Sequence, residues 1–384
     1  MTPAMTDRDR LFQVIETLVM HHSPSGAEGE IDGYLRAQFT ALGLDCWQDP
    51  AGNVIARVAG QDSSRAIAIT AHKDEIGGLV KTIDAEGRVR VGKLGGAFPW
   101  VYGEGVVDLL GDRHTVSGIL SFGSRHVSHE SPQKVLQEDQ AVRWQDAWVE
   151  TKRTPEALAA AGIHPGTRMV IGKHRKRPFR LQDHIASYTL DNKASLAILL
   201  GLGEGLRSPA VDVYLVASAK EEVGAIGALY FTQHFAQSFS QRLLQSLDQD
   251  DTVPRNTLEA IARQIAQSQT LDALIALEIC PLSLEYPVQD GPAPVLLVQD
   301  GYGIYDDGLN QELQQAAIAA QIPLQLAALS GFGSDASIAM KNGHVGRAAC
   351  LSFPTENTHG YEIAHLDAIA HCITILRHYC ESLE

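Results

Sequence analysis

The feature that most limits the fold is the apolar run Ala66-Ile67-Ala68-Ile69-Thr70, which passes straight into Ala71-His72-Lys73-Asp74-Glu75-Ile76-Gly77. Aliphatic and β-branched residues without polar alternation, bounded by charge, describe a strand buried on both faces, as at the centre of a parallel sheet. A histidine and an aspartate stand at its carboxyl end, the edge of an open α/β sheet where ligands collect. The rest of the chain supplies what such a sheet needs. Helical spacing runs over 7–20, 27–42, 194–206, 308–320 and 366–384. Strand-like runs cover 44–47, 54–58, 211–217, 273–279, 295–298, 324–328 and 347–353. Strands alternating with helices predict an α/β fold, a three-layer α/β/α sandwich around a parallel or mixed sheet.

Between residues 79 and 172 the texture changes. Short strands at 87–92, 105–109 and 116–120 are separated by glycines, with few long helical patterns. This predicts a small β-rich domain, 78–183, inserted into an α/β domain made of 1–77 and 184–384. Its polar stretch 124–153, with His126 and His129, reads as a loop or lid. A Gln-rich excursion over 231–270 reads as helical at 241–247 and 258–267.

Composition narrows the function. A net charge of −15 disfavours nucleic acid and anionic membrane surfaces as partners. No apolar run is long enough to span a bilayer, and the polar N-terminus lacks the apolar core of a signal peptide. The five cysteines are scattered and form no CxxC, which predicts buried free thiols in a reducing cytoplasm.

The polar residues that could carry chemistry recur at strand ends or the helix starts beyond them: His72 with Asp74, Glu221 with Glu222, Glu278, and His359. Asp191 opens a helix. Imidazole and carboxylate are the donors that zinc or cobalt prefers. A pair of such ions needs a bridging carboxylate and one or two further ligands each, a count that two histidines, an aspartate and two glutamates meet. Asp74 could then accept the second ring proton of His72 and fix its tautomer. Glu221, beside a ligand, could act as general base. Singly, each residue has a plainer reading. A histidine after a strand can simply pack, a Glu-Glu pair can be solvated, and Asp191 can be an N-cap. The Gly331–Gly333 turn is followed by no GKS/T arrangement and is not a phosphate loop.

Together these segments resemble the tetrahedral (TET) aminopeptidases, metallopeptidase family forty-two. Residues 71–77 look like that family's AHxDEIG, Leu190-Asp191-Asn192-Lys193 like its LD[DN]R, and Lys220-Glu221-Glu222-Val223-Gly224 with Gly227-Ala228 like its xEEVGxxGA. Gly333-Ser334-Asp335-Ala336 is similar to its GTDA turn, and Pro354 through His359 to the PxRxxH segment that delivers the last histidine. The resemblance implies two divalent metal ions, zinc or cobalt. One would be held by His72, Asp191 and Glu278, the other by Glu222 and His359, with Asp191 bridging, Glu221 as base and Asp74 orienting His72. It further implies a PDZ-like inserted domain that helps assembly, and a homo-oligomer of dimers up to a hollow dodecamer acting on peptides.

Three positions depart from the pattern. Glu278 stands where the family usually has aspartate, Asn357 where it often has arginine and tyrosine, and the 231–270 excursion exceeds the usual connection. The rival functions are a related di-metal deacylase acting on N-acyl amino acids or a specialised amide, and a non-catalytic assembly protein. A paired-carboxylate glycosidase would leave both histidines unexplained.

Overall fold

The computed structural model describes residues 4–131, 141–235, 270–383 and positions 244, 255, 257 and 258. The expected helices within 241–247 and 258–267 fall largely outside the described residues.

The larger sheet is built on the strand that opened the sequence reading. In chain order the strands are β1 Asp45–Gln48, β2 Val54–Val58, β3 Asp62–His72, β4 Gly77–Ile83, β5 Val89–Leu94, β6 Gly105–Leu110, β7 Thr115–Ser121, β8 Trp148–Glu150 and β9 Arg168–Ile171. They continue with β10 Phe179–Leu181, β11 His184–Tyr188, β12 Val211–Ser218, β13 Thr270–Pro281, β14 Val295–Gln299, β15 Gln325–Ala328, β16 Ala348–Glu356 and β17 Tyr361–His365. The main path is β1-β2-β12-β3-β13-β16-β17-β11-β10, with β14 pairing β15 and β16.

The four central strands β12, β3, β13 and β16 run parallel. Each is buried on both faces through its central residues, which is why they read as unbroken apolar runs. Antiparallel β2 and β17 flank them. Helices Arg8–Val19, Leu190–Gly205, Asp307–Ala319 and Leu366–Ser382 cover one face through a core that includes Leu11, Ile15, Leu199, Leu313 and Ile373. The other face packs Tyr214, Leu274 and Cys350 against Phe231 of the helix Ile226–Gln233 and Ala336 of the helix Asp335–Lys341. This is the expected three-layer arrangement.

The strands β4 to β9 leave this sheet and close into an all-antiparallel barrel of order β4-β5-β8-β7-β6-β9. It has its own core, among it Val80, Val91, Leu109, Val149 and Met169. Residues 124–153, read as a loop or lid, contain a barrel strand instead. β8 bonds β5 and β7 and helps to close the barrel. Three residues are too few to show an alternating pattern, and Trp148 is marked only in three dimensions, by Arg88 and Arg90 each 5.5 Å from its ring. Residues 132–140 lie outside the described part. Among the described residues no helix is long and apolar enough to cross a membrane, and all five cysteines are free.

Barrel and sheet are joined by buried charge. Glu75, between β3 and β4, accepts from Lys176 Nζ at 2.8 Å, and both side chains are fully buried. Burial alone would raise the Glu75 pKa, but the charges of Lys176 and Lys193 overcome it and hold the carboxyl below its ordinary value. A depressed carboxylate contributes stability above its unfolded pKa and loses it as pH falls. Lys176→Met should therefore destabilise the fold by about 3–5 kcal/mol at neutral pH, because it strands a buried charge. Thermal unfolding checks this, and the gap between wild type and variant should shrink below pH 4.5, the ordinary value for this carboxyl.

Candidate active site

The carboxyl ends of the parallel strands converge on one cleft. His72 is the last residue of β3, Glu221 and Glu222 lie in the turn after β12, Glu278 lies within β13 just before its end at Pro281, and His359 follows β16. Asp191 comes from across the sheet. It begins the helix Leu190–Gly205, where the backbone at Asp191 and Asn192 is still non-helical. These residues line a cleft of about 490 Å³.

Asp191 occupies the centre. Its Oδ1 lies 2.9 Å from His72 Nε2, and its Oδ2 lies 3.6 Å from His359 Nε2. Glu278 Oε2 is 3.7 Å from the same His72 nitrogen, and Glu222 Oε1 is 3.6 Å from His359 Nε2. His72, Asp191 and Glu278 thus form one compact donor group, and Asp191, Glu222 and His359 a second. Glu278 reaches the site from mid-strand, where Asn192 Nδ2 donates to its Oε2 at 3.1 Å. The longer side chain therefore still presents an oxygen beside His72.

The tautomer of His72 follows from its partners. Its Nδ1 faces the backbone carbonyl of Asp74 at 3.1 Å, which can only accept, so Nδ1 carries the proton. The lone pair of the neutral ring then points at Asp191 and Glu278. A lone pair facing two carboxylates is repulsive, so the ring either takes up a second proton, which Nε2–H donates to Asp191 Oδ1 at 2.9 Å, or shares the space with a metal cation. The Asp74 carboxylate stands farther from that ring, at 3.6 Å. It instead accepts from Glu221 N–H at 2.9 Å, from Glu222 N–H at 3.3 Å and from the Ser25 hydroxyl at 2.6 Å. Asp74 therefore fixes the turn that carries Glu221 and Glu222.

Electrostatics supports the same conclusion. Burial, then the charge of Asp191, pushes Glu222 up to about 8. Burial likewise drives Glu221 and Glu278 well above the usual carboxylate range, with neighbouring acids adding to it and His72 opposing. Burial would lower the His72 pKa, but Glu278, Asp191 and Asp74 raise it well above normal. With its carboxyls ionised, the cluster would carry more negative charge than its two histidines can balance, and its donor set of imidazole and carboxylate suits divalent cations such as zinc or cobalt.

Sequence reasoning missed several residues that build this site. Glu362, on β17, is buried and accepts from the backbone N–H groups of both Asp191, at 2.9 Å, and His359, at 3.0 Å. Burial, then the charge of Asp191, raises its pKa well above normal. Asp335 is buried behind Glu221, bonded to Ser218, with its Oδ1 unpartnered. Burial lifts it to about 6. Gly95 and Gly96, just past β5, bring the barrel against the site. A Cβ on Gly96 would stand 2.3 Å from His359 Nδ1, and one on Gly95 3.1 Å from Glu222. The Gly-Gly pair is the one signal in the sequence that could have pointed there, since close backbone approach is a reason to have no side chain. Of the other histidines, His126 and His129 are not among the residues lining the cleft.

A family model described as M42 glutamyl aminopeptidase matches residues 52–240 and 260–375. The chain belongs to this family of peptidases. The protein YhfE of Bacillus subtilis (strain 168) is 26% identical over 98% of this chain and 99% of its own length. Among solved structures, an aminopeptidase from the archaeon Desulfurococcus kamchatkensis superposes with a TM-score of 0.80 at 22% identity, covering 98% of this chain and 96% of that one. The TET1 peptidase of Pyrococcus horikoshii, described as able to assemble into a tetrahedron or a large octahedral shell, gives a TM-score of 0.79 at 20% identity, covering 97% and 100%. These likenesses extend over both the sheet and the barrel.

Gly96→Ala should lower peptidase kcat at least about tenfold, because His359 must move to admit the methyl group, in the way small misplacements of catalytic groups are costly. The thermal midpoint should stay close to that of wild type. Steady-state kinetics beside a melting curve will show whether the two separate.

Proposed function

We propose that the chain is a two-metal aminopeptidase that removes N-terminal residues from peptides. The observation that carries this reading is the division of Asp191 between the two donor groups, one oxygen toward His72 and the other toward His359. His72, Asp191 and Glu278 would hold one ion, and Asp191, Glu222 and His359 the other, with zinc or cobalt the ions that best suit the donors. Bound there, two such ions polarise a scissile carbonyl and acidify water.

The chain's own groups do the rest. The Glu221 carboxylate lines the cleft 4.0 Å from His72 Nε2, within reach of a water at the centre of the cluster. It takes the proton of the attacking water and returns it to the leaving amine. Asp74 holds the Glu221 and Glu222 N–H groups, so the base and its neighbouring ligand keep a fixed separation. Glu362 does the same for Asp191 and His359. Glu221→Gln should abolish turnover while metal content persists, whereas Asp191→Ala and His359→Ala should lose metal together with activity. Elemental analysis of the purified variants beside their kinetics tests this, and near-normal kcat in Glu221→Gln would remove Glu221 from the role of base.

The division of the chain into a catalytic domain and an inserted PDZ-like barrel is part of the same proposal, with the expected bounds of 78–183 drawn in to the barrel strands β4 to β9, since β10, Phe179–Leu181, pairs with β11 in the larger sheet. It is supported by the barrel's separate core. So is a homo-oligomer built from dimers, which the shape shared with the Pyrococcus horikoshii TET1 peptidase supports. Light scattering should give a mass that is an even multiple of the chain's 41.5 kDa, with a dodecamer the upper expectation. A mass of one chain would rule assembly out.

A further inference from the structure

We infer that the cleft selects peptides whose first residue carries a large apolar side chain, and disfavours acidic and basic ones. This rests on the aminopeptidase reading and adds the substrate class to it. Away from the acidic cluster, the cleft is walled by Ile279, Pro281, Tyr286, Tyr302, Phe332 and Ile338. Neither lysine nor arginine is among the described residues that line it.

The wall is held in place. The Tyr286 hydroxyl accepts from Gly331 N–H at 3.2 Å, which pins the turn carrying Phe332. The Tyr302 ring lies so close to Gly333 that a Cβ there would stand 2.2 Å from it, so ring and turn interlock. Ile338 stands on the helix Asp335–Lys341, whose start is fixed by a reciprocal cap between Ser334 and Ser337. A preformed apolar wall gains from burying an apolar side chain at little ordering cost.

Charge is disfavoured in both directions. An acidic side chain lodged on this wall would lose water with no lining lysine or arginine to pair it. A basic one would lose water against Ile279, Pro281 and Ile338 with no carboxylate on that wall. Lys341, whose ammonium lies 5.2 Å from the Tyr302 ring, is not among the lining residues. The preference therefore departs from the glutamyl specificity in the family's description.

The test uses the full-length protein with added zinc or cobalt and the p-nitroanilides of leucine, phenylalanine, alanine, glutamate and lysine, beside N-acetyl-leucine p-nitroanilide. Leucine or phenylalanine should exceed alanine in kcat/KM by at least about tenfold, the size of effect a few methylenes in an apolar pocket provide, and should exceed glutamate and lysine by about a hundredfold. Ile338→Lys, which places a cation on the wall, should raise the glutamate-to-leucine ratio at least about tenfold. A wild-type preference for glutamate or lysine overturns the inference and leaves the aminopeptidase reading standing, with Lys341 the cation to examine in the first case. An unmoved ratio in an Ile338→Lys protein that melts like wild type overturns the assignment of this wall. Cleavage of the N-acetyl compound alone, or of none of the compounds, overturns the aminopeptidase reading itself and the inference with it.

Discussion

The site depends on a layer of buried charge beneath it. Lys73, Lys176 and Lys193 are all fully buried, and an ammonium cannot be held there without partners. Lys73 donates to Glu28 at 2.6 Å and to Asp32, Lys176 to Glu75, and Lys193 to Ser23 and to the Lys73 carbonyl at 2.7 Å. Burial lowers Lys193 to about 8. These pairs tie three distant parts of the chain to the segment Ala71–Gly77: the N-terminal stretch, the return from the barrel, and the helix that carries Asp191. Glu28 extends the tie by accepting the Lys220 N–H at 3.2 Å, one residue before Glu221. The acids above the strand end and the lysines below it are thus two layers of one arrangement, with His72 between them.

Such layering explains how so many carboxylates can share a cleft. Three of the acids have oxygens held by neutral side chains: Asp74 by Ser25, Asp335 by Ser218, Glu278 by Asn192. The repulsion among them is borne by a frame with few alternative conformations. Preorganisation of this kind keeps donors in place without reorganisation when a cation or substrate arrives.

What the sequence made legible follows from burial. The strands β3, β12, β13 and β16 are apolar on both faces, and their carboxyl ends carry His72, Glu221 with Glu222, Glu278 and His359, so the candidate residues could be collected by address. Asp191 was readable only as the start of a helix until the other segments were set beside it. Elements whose signal is short or ambiguous were not legible. β8 is three residues long. The helix Asp335–Lys341 begins in a glycine-rich stretch that reads as a turn, because the hydroxyl of Ser334, not an apolar pattern, starts it. β17 carries Glu362 in the context Tyr361-Glu362-Ile363, which looks like any half-exposed strand. That carboxylate becomes informative only once its two backbone donors are seen. Ser25, in Pro24-Ser25-Gly26, has no apolar pattern around it, yet its hydroxyl bonds Asp74 and the preceding Pro24 bridges to Glu75.

The glycines at 95 and 96 have a consequence for how such chains can change. At these two positions the barrel approaches Glu222 and His359 through main chain. Surface residues of the barrel are free to diverge, but its pose over the sheet is not, since a small tilt would be transmitted to Glu222 and His359 at once. A barrel transplanted from a relative would have to reproduce this hinge as well as its own core. A partner that tilted the barrel would therefore act on the cleft as well.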